Sequence, residues 1–362
     1  MKTTRPLMIA LLMAPLTALY ASEGLPAFSW EHVPLYAHFG YDANLRPEQY
    51  DFLAKHFSLV TIAAGRVHEK AELGIATGAA EIKKRNPAVK VLFYWPANIP
   101  HGPFTESLGT FPKGGYLDVL RSRPTGKGIP MYDHSSADMR AWWAGVAGRA
   151  VRDYACDGIF SDGTHPLVNR ELSREKVAAA NAGLVAMMQE AHAQMGAGKL
   201  IIFNALHGAE YSGYLAVTDG AMIDRFDRDE KQTKETMAAD LEAMHKAAQN
   251  GKIICFKAWP NFTLKNKDMM KKPHDELARL AREQLRFPLA CFLVAAGSRC
   301  YFQYSWGWDA DCGTFDWQPE FDKPLGAPKG DAKREGWTYA REFEHASVFV
   351  DLAGKTAKIE WK

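Results

Sequence analysis

The chain has 362 residues, of which 24% are charged and 12% aromatic, and its formal net charge is +2. A charge so close to zero, with Lys265–Lys272 as a short basic run, argues against nucleic acid as a partner. The length suits one α/β barrel domain, and beyond the N-terminus no apolar run reaches the roughly 18 residues of a membrane span.

The N-terminus has the pattern of an export signal. Lys2 and Arg5 form a basic start, and Pro6–Ala21 is an uncharged, mostly apolar run that ends in small residues. This arrangement is typical of a cleaved signal peptide, and the apolar run is shorter than the roughly 20 residues of a transmembrane helix. We therefore assign residues 1–21 as a signal peptide and expect a secreted or periplasmic protein.

After residue 21, short apolar runs alternate with longer segments of helical periodicity, which is typical of repeated βα units. Eight runs are strand candidates: Val33–Phe39, Leu59–Ala64, Lys90–Tyr94, Gly158–Ser161, Leu200–Asn204, Ala221–Asp224, Ile253–Ala258 and Arg299–Tyr304. The helical segments are Pro47–Phe57, Glu69–Arg85, Ala137–Tyr154, Arg174–Gln194, Lys234–Gln249 and His274–Ala295. A count of eight favours a closed (β/α)8 TIM barrel over an open doubly wound sheet, which normally has a glycine-rich turn after its first strand.

Two segments interrupt the alternation. Ala97–Asp133, rich in Gly, Pro and Lys, follows the third strand and predicts a lid or subsite wall above the barrel mouth. Near the C-terminus, Trp337–Phe343, Ser347–Asp351 and Lys355–Trp361 have the pattern of short strands. We therefore expect a barrel over residues 22–310 and a small C-terminal β-element, packed on it, over residues 311–362.

Two strands carry the same acidic spacing. Asp157 precedes the fourth strand and Asp162 follows it directly, and Asp219-Gly220 precedes the sixth strand, which ends at Asp224. Active sites of such barrels lie at the C-terminal strand ends, so Asp162 and Asp224 should face the mouth. Two carboxylates there suit acid, base or nucleophile roles at one glycosidic bond. Either could instead cap a turn or join a structural ion pair.

Aromatic and polar residues concentrate at the same strand ends. Aromatic rings stack on the C–H faces of sugars and help a carboxyl group to keep its proton. The aromatic candidates are Tyr36, His38, Tyr94, Trp95, Trp259, Tyr304, Trp306 and Trp308. The candidates for hydroxyl recognition are Arg66, His165, Asn204, His207, Lys257 and Gln303. Asp227 is an alternative acid, and any single one of these aromatic residues is also explained by core packing.

The cysteines and histidines do not indicate a metal or a cofactor, because no zinc-type spacing is present. Cys156, Cys255, Cys291 and Cys300 lie in or beside apolar runs and are interpreted as structural thiols. Cys300 and Cys312 are close enough in sequence to form a disulfide, and the sequence does not decide whether they do.

The two acidic strands, with Tyr301–Tyr304, Lys323–Gly326, Tyr339–Phe343 and Val348–Val350, resemble the hypothetical glycosyl hydrolase family 15, a group of barrel proteins of unassigned activity. The resemblance covers most of the mature chain. The fourth-strand Asp is also similar to that of the α-galactosidase clan and of the endo-polygalactosaminidases. The resemblance implies that Asp162 is the nucleophile or base and Asp224 the acid, although many relatives have Glu at the latter position.

Three functions remain in view. The first is a secreted hydrolase of O-glycosidic bonds, with carbohydrate as its partner. The second is a non-catalytic glycan-binding barrel, and the third is a barrel lyase for acidic sugars that would use Arg66, His207 and Lys257. The sugar, the anomer and the oligomeric state stay open.

Overall fold

The computed structural model describes residues 24–40, 45–63, 70–121, 128–207, 212–227 and 232–362. The predicted signal peptide, residues 1–21, and Arg66 lie outside these ranges. No helix within the described ranges is both long and apolar enough to cross a membrane.

The described residues form strands and helices in close agreement with the predicted alternation. The strands are β1 (Tyr36–Phe39), β2 (Leu59–Ile62), β3 (Lys90–Pro96), β4 (Tyr116–Arg121), β5 (Ile129–Tyr132), β6 (Gly158–Asp162), β7 (Leu200–Asn204), β8 (Gly220–Phe226), β9 (Ile253–Ala258), β10 (Cys300–Tyr304), β11 (Lys333–Glu335), β12 (Thr338–Glu342), β13 (Ala346–Asp351) and β14 (Thr356–Trp361). The helices are α1 (Pro47–His56), α2 (Ala71–Arg85), α3 (Thr105–Leu108), α4 (Ala137–Asp153), α5 (Arg174–Met195), α6 (Ser212–Ala216), α7 (Lys234–Gln249), α8 (His274–Gln284) and α9 (Arg286–Ala295).

Eight parallel strands form one sheet in the order β1-β2-β3-β6-β7-β8-β9-β10. The sheet closes on itself, because Leu35 forms a parallel bridge with Phe302 and the Phe302 N–H donates to Pro34 O at 2.8 Å. A second contact, from the Gly40 N–H to Trp308 O at 2.6 Å, continues the closure beyond the strand ends. The prediction of a (β/α)8 barrel is confirmed.

Two apolar layers follow from the alternation of strand side chains. Residues that point inward fill the barrel, among them Leu92, Phe160, Ile202 and Met222. Outward-pointing residues pack under the helices in the main core. Tyr36, predicted to contact substrate, belongs to the inner layer: it is fully buried and its hydroxyl donates to Thr61 Oγ1 at 2.7 Å.

The helix boundaries have local causes. Ser136 begins α4 by accepting the Met139 N–H at 3.4 Å, and Thr233 begins α7 in the same way. The single helix predicted over His274–Ala295 is two helices that meet at Leu285. Pro288 explains the break, because its ring has no N–H to donate and collides with the carbonyl four residues earlier.

The inserted and C-terminal segments each form a small antiparallel sheet. Within the predicted lid, β4 pairs with β5. At the C-terminus β11, β12, β13 and β14 form a four-stranded sheet. The small β-element is confirmed, with β12, β13 and β14 at the three predicted strands, whereas β11 was not predicted. Arg341 of β12 is buried and donates to the carbonyls of Leu293 and Ala296, at 2.8 and 2.5 Å, which ties this sheet to α9. The boundary between residues 310 and 311 stays a prediction.

All five cysteines are free and buried. The disulfide left open for Cys300 and Cys312 is therefore not formed. Cys300 instead lies at the start of β10, where its Sγ accepts the Gly297 N–H at 3.4 Å.

Candidate active-site cleft

A cleft lies at the C-terminal ends of the barrel strands and has two lobes, with cavity volumes of about 340 and 500 Å³. Five residues line both lobes: Tyr94, His101, Asp162, Asn204 and Asp224. The smaller one, here the aromatic lobe, is also lined by His38, Gly40, Ala63, Phe160, Trp308 and Asp309. The larger one, here the polar lobe, is also lined by Pro96, Asn98, Ile99, Arg121, Gly163, His165, Ala205 and His207. The two acidic residues singled out in the sequence thus lie where the lobes meet.

Asp162 ends β6 and receives three hydrogen bonds on its carboxylate. The Tyr94 hydroxyl donates to Oδ2 at 2.5 Å, and Asn204 Nδ2 and the Gly163 N–H donate to Oδ1 at 2.9 and 2.8 Å. Burial and the neighbouring carboxylate raise the pKa of Tyr94 well above its usual value, so the phenol stays protonated and keeps donating. Three donors fix the orientation of this carboxylate and stabilise its negative charge.

Asp224 lies in β8, two strands further along the barrel, and is 5% exposed. Its Oδ2 lies 3.4 Å from Asn204 Nδ2, so one amide group contacts both carboxylates. Its main-chain carbonyl accepts from Trp259 Nε1 at 2.6 Å. A β-bulge places two residues of β8, Asp224 and the next one, opposite a single residue of β9. Such bulges re-aim side chains beside active sites.

His207 follows β7 and lies between two carboxylates. Its Nδ1 donates to Asp240 Oδ1 at 3.1 Å, and its Nε2 lies 3.7 Å from Asp224 Oδ1. The carboxylates of Asp224 and Asp240 raise the pKa of His207 to about 9, so its imidazole is cationic at neutral pH.

His38 has the opposite electrostatic environment. Its ring packs on Phe160 and Trp308, with centroid separations of 4.5 and 4.8 Å. Burial and then the charge of Lys257 lower the pKa of His38 to about 3, so its imidazole is neutral. His38 and Trp308 therefore form an uncharged wall of the aromatic lobe.

Several residues predicted to contact substrate face away from the cleft. Trp95 points outward from β3 and packs on Trp142 and Trp143, since neighbouring strand residues alternate and Tyr94 points inward. Tyr304 also points outward, and its hydroxyl donates to Ala281 O at 2.7 Å. These positions were correctly placed at strand ends, but their side chains belong to the outer core.

Trp306 and Asp227 also lie away from the cleft. Trp306, in the loop after β10, is buried and packs on Phe262, with ring centroids 5.9 Å apart. Asp227 has a left-handed backbone, with φ of 56°, and its Oδ1 forms an ion pair with Lys355 at 2.6 Å. The loop thus turns Asp227, predicted as an alternative acid, toward the C-terminal sheet and away from the cleft.

Lys257 and Trp259 support the cleft from behind without lining it. The fully buried Lys257 ammonium donates to Ser305 O and Ser305 Oγ, both at 2.6 Å. It also lies 3.8 Å from the centroid of the Trp259 ring, a cation–π arrangement. Gln303 is buried as well, and its amide donates to His38 O at 2.8 Å.

The structure adds residues that the sequence reasoning did not identify. Asn98, His101 and Arg121 come from the inserted segment, whose path over the mouth has no sequence signal beyond its composition. Asp240 lies on the apolar face of α7 between Met237 and Leu241, and an acidic residue in such a stripe is a signal that could have been recognised. Among the described residues, no group of three His, Cys, Asp or Glu side chains is arranged to hold a metal ion.

Comparison with known proteins gives one family match. The model of the hypothetical glycosyl hydrolase family 15 matches residues 83–347. No curated protein matches the chain significantly.

Among solved structures, similar chains include Ega3 from Aspergillus fumigatus, crystallised in complex with galactosamine, with 14% identity, a TM-score of 0.46, and coverage of 81% of this chain and 97% of that one. Another is the noncanonic maltogenic α-amylase AmyB from Thermotoga neapolitana, with 11% identity, a TM-score of 0.49, and coverage of 88% and 84%.

Proposed function

The chain belongs to the hypothetical glycosyl hydrolase family 15, and from this premise we propose that it hydrolyses O-glycosidic bonds at the cleft, with Asp162 and Asp224 as the carboxylate pair. The observation that supports this best is their convergence on one amide nitrogen, Asn204 Nδ2, at 2.9 and 3.4 Å. Glycoside hydrolysis generally uses two carboxyl groups that flank the scissile bond.

Asp162 is the better nucleophile of the two. Its three donors stabilise a carboxylate, which is the form that attacks the anomeric carbon or steadies its positive charge. Because both carboxylates contact the same nitrogen, their nearest oxygens lie close together. A short separation, about 5–5.5 Å between carboxyl groups, suits a covalent intermediate, whereas a water-activating pair needs about 6.5 Å or more.

Asp224 is then the acid that protonates the leaving oxygen. It is nearly buried, it faces the junction of the two lobes, and His207 beside it carries a proton at neutral pH. In this arrangement the aromatic lobe holds the ring that reacts, against His38 and Trp308, and the polar lobe holds the leaving part of the substrate.

The lyase alternative has less support. Of the residues that it would use, His207 lines the cleft, but Lys257 is buried behind Trp259 and does not reach it. Export of the protein is a separate proposal, which the composition of residues 1–21 supports.

The test is hydrolysis of a panel of aryl glycosides and polysaccharides by the wild type, Asp162→Asn and Asp224→Asn. We expect each substitution to lower kcat by at least about 100-fold, the scale of lost acid–base or nucleophile function. Proton NMR of the first sugar released shows whether its anomeric configuration is retained, as a nucleophilic Asp162 requires.

The matched control is Asp157→Asn, at the other end of β6. Asp157 accepts the Val91 N–H at 2.8 Å and pairs with Lys83, so this change should lower stability and leave kcat unchanged. If the wild type cleaves no substrate, and the Asp162→Asn and Asp224→Asn variants bind glycans as well as the wild type does, the proposal of a hydrolase is replaced by that of a glycan-binding barrel.

A further inference from the structure

A buried carboxylate lies behind the cleft in the helix layer. Asp240 of α7 is 4% exposed and is surrounded along its helix by Met237, Leu241 and Met244. Its Oδ1 accepts from His207 Nδ1, and its Oδ2 accepts from Gln232 Nε2, each at 3.1 Å. Burial of a carboxylate costs free energy unless its oxygens are paired, and both oxygens are paired here.

Asp240 determines which way the His207 ring faces. Because Nδ1 donates to Asp240, the opposite nitrogen, Nε2, faces Asp224 Oδ1 at 3.7 Å. This distance exceeds a hydrogen bond, but contacts in a catalytic site are often long until substrate is bound. The three groups therefore form a line from the helix layer to the cleft.

We propose that Asp240 and His207 form a proton relay that supplies the acid Asp224 during each turnover and takes the proton back. This inference rests on the proposed function, since it concerns the acid of that reaction. His207 holds the proton, and Asp240 is a positioning residue that orients and charges the ring without touching substrate.

The proton balance of the relay is simple. Before the reaction, His207 and Asp224 share one proton, which lies on Nε2 or on the carboxyl group. Asp224 passes it to the glycosidic oxygen as the C–O bond breaks, which leaves His207 neutral and Asp224 ionised. The water that then completes hydrolysis gives one proton to Asp224, and the pair regains its starting state.

The charges around His207 favour this arrangement. Among the described residues, the Asp224 and Asp240 carboxylates face its two nitrogens, and Arg121, His101, His165 and Asp162 line the polar lobe beside it. An Asp224 carboxylate kept ionised beside a fixed imidazolium would have no proton of its own to donate at neutral pH. The relay removes this difficulty, because the imidazolium proton is itself the one delivered.

The first test follows the ionisation of His207 by NMR of the isotopically labelled full chain, with His207→Gln to assign its resonance. We expect His207 to titrate near pH 9 in the wild type and at least about one pH unit lower in Asp240→Asn and in Asp224→Asn. Glu72→Gln is the matched control, since Glu72 is another buried carboxylate from a barrel helix, and it accepts the Ser107 N–H away from the cleft.

The second test compares aryl glycosides of one sugar with good and poor leaving groups. Asp240→Asn should lower kcat/KM for the phenyl glycoside at least about tenfold more than for the 2,4-dinitrophenyl glycoside, which needs no acid. It should also move the alkaline limb of the pH profile to lower pH.

These two measurements separate the relay from the hydrolase function. An unchanged His207 titration in Asp240→Asn overturns the relay, as does an equal loss for both leaving groups at every pH. If no glycoside is cleaved, the proposed hydrolysis fails, and the relay as a proton-supplying device fails with it even where the NMR titration supports the pairing.

Discussion

Tyr94 links the barrel wall to Asp162, the proposed nucleophile. Its hydroxyl lies 2.5 Å from Asp162 Oδ2, and its ring packs nearly parallel to Phe160 beneath the aromatic lobe. The donor is therefore in place before substrate arrives, and such preorganised hydrogen bonds are effective in a site that excludes water.

Replacement of Tyr94 by Phe should lower kcat/KM about 10- to 100-fold, because a hydrogen bond to a charged group contributes about 1.5–3 kcal/mol. Steady-state kinetics on the best aryl glycoside measures this. Tyr36→Phe is the control, since the same atom is removed from the barrel floor, where it donates to Thr61. In that variant the free energy of unfolding should fall by about 1 kcal/mol, and kcat/KM should stay unchanged. Equal kinetic losses in both variants would argue against a role for the Tyr94 hydroxyl.

For single residues, the sequence predicted the position along a strand better than it predicted the side of the sheet that the side chain faces. Asp162 and Asp224 were placed at strand exits from their spacing, and they do line the cleft. Trp95 and Tyr304 were not distinguished from their inward neighbours, because buried parallel strands are apolar on both faces and lack a period of two. Asp240 was missed because its partner, His207, is distant in sequence and becomes close through folding.

The two Asp-Gly motifs of β6 and β8 join each strand to its neighbours. Asp219 repeats the role of Asp157, since its Oδ2 accepts the Ile201 N–H of the preceding barrel strand at 2.7 Å. Gly158 has a φ of 155°, and a Cβ there would lie 2.0 Å from Leu200 O. The motif thus fixes where each strand begins, and five residues later the carboxylate emerges into the cleft.

Gly158→Ala should therefore lower the free energy of unfolding by at least about 2 kcal/mol, because neither the backbone angle nor the space admits a side chain. Urea unfolding measures the change. Gly145→Ala in α4 is the comparison: a Cβ there meets nothing within 4 Å, and the helix should gain about 0.5–1 kcal/mol. If the Gly158→Ala variant has the same free energy of unfolding as the Gly145→Ala variant, β6 can move to make room for the added methyl group without loss of stability.

The order of elements was predictable, but their interruptions were not. Apolar runs and helical periodicity identified all eight barrel strands. The pairing of β4 with β5 escaped detection because both strands lie within Ala97–Asp133, a segment whose sequence signal is its content of Gly, Pro and Lys. The bulge in β8 leaves no periodic signal, since it depends on how that strand pairs with β9.

The C-terminal sheet connects the end of the chain to the barrel as a whole. Arg341 caps the end of α9 through two carbonyls, and Lys355 pairs with Asp227 in the loop after β8. The sheet therefore supports the same loop region that follows Asp224. We infer that barrel and sheet unfold together, as one cooperative unit.

Three histidines make the stability of this unit depend on pH in opposite directions. Burial lowers the pKa of His38 to about 3 and that of His134 to about 4, whereas Asp224 and Asp240 raise the pKa of His207 to about 9. An unfolded histidine titrates at about 6.5. Below that pH, unfolding takes up protons at His38 and His134, so a fall in pH favours the unfolded chain. Above it, unfolding releases a proton from His207, so a rise in pH also favours the unfolded chain.

The contribution of His207 can be isolated with His207→Gln by urea unfolding between pH 5 and pH 10. The stabilising effect of the imidazolium is complete below about pH 6.5 and is lost as the pH rises through about 9. The free energy of unfolding of the wild type should therefore exceed that of the variant most at low pH. The two curves of free energy against pH should converge on the alkaline side. His134→Gln should instead flatten the acid side, because it removes a buried neutral ring that must gain a proton on unfolding. Curves for wild type and His207→Gln that stay parallel across this range would mean that the carboxylates of Asp224 and Asp240 do not hold the His207 proton.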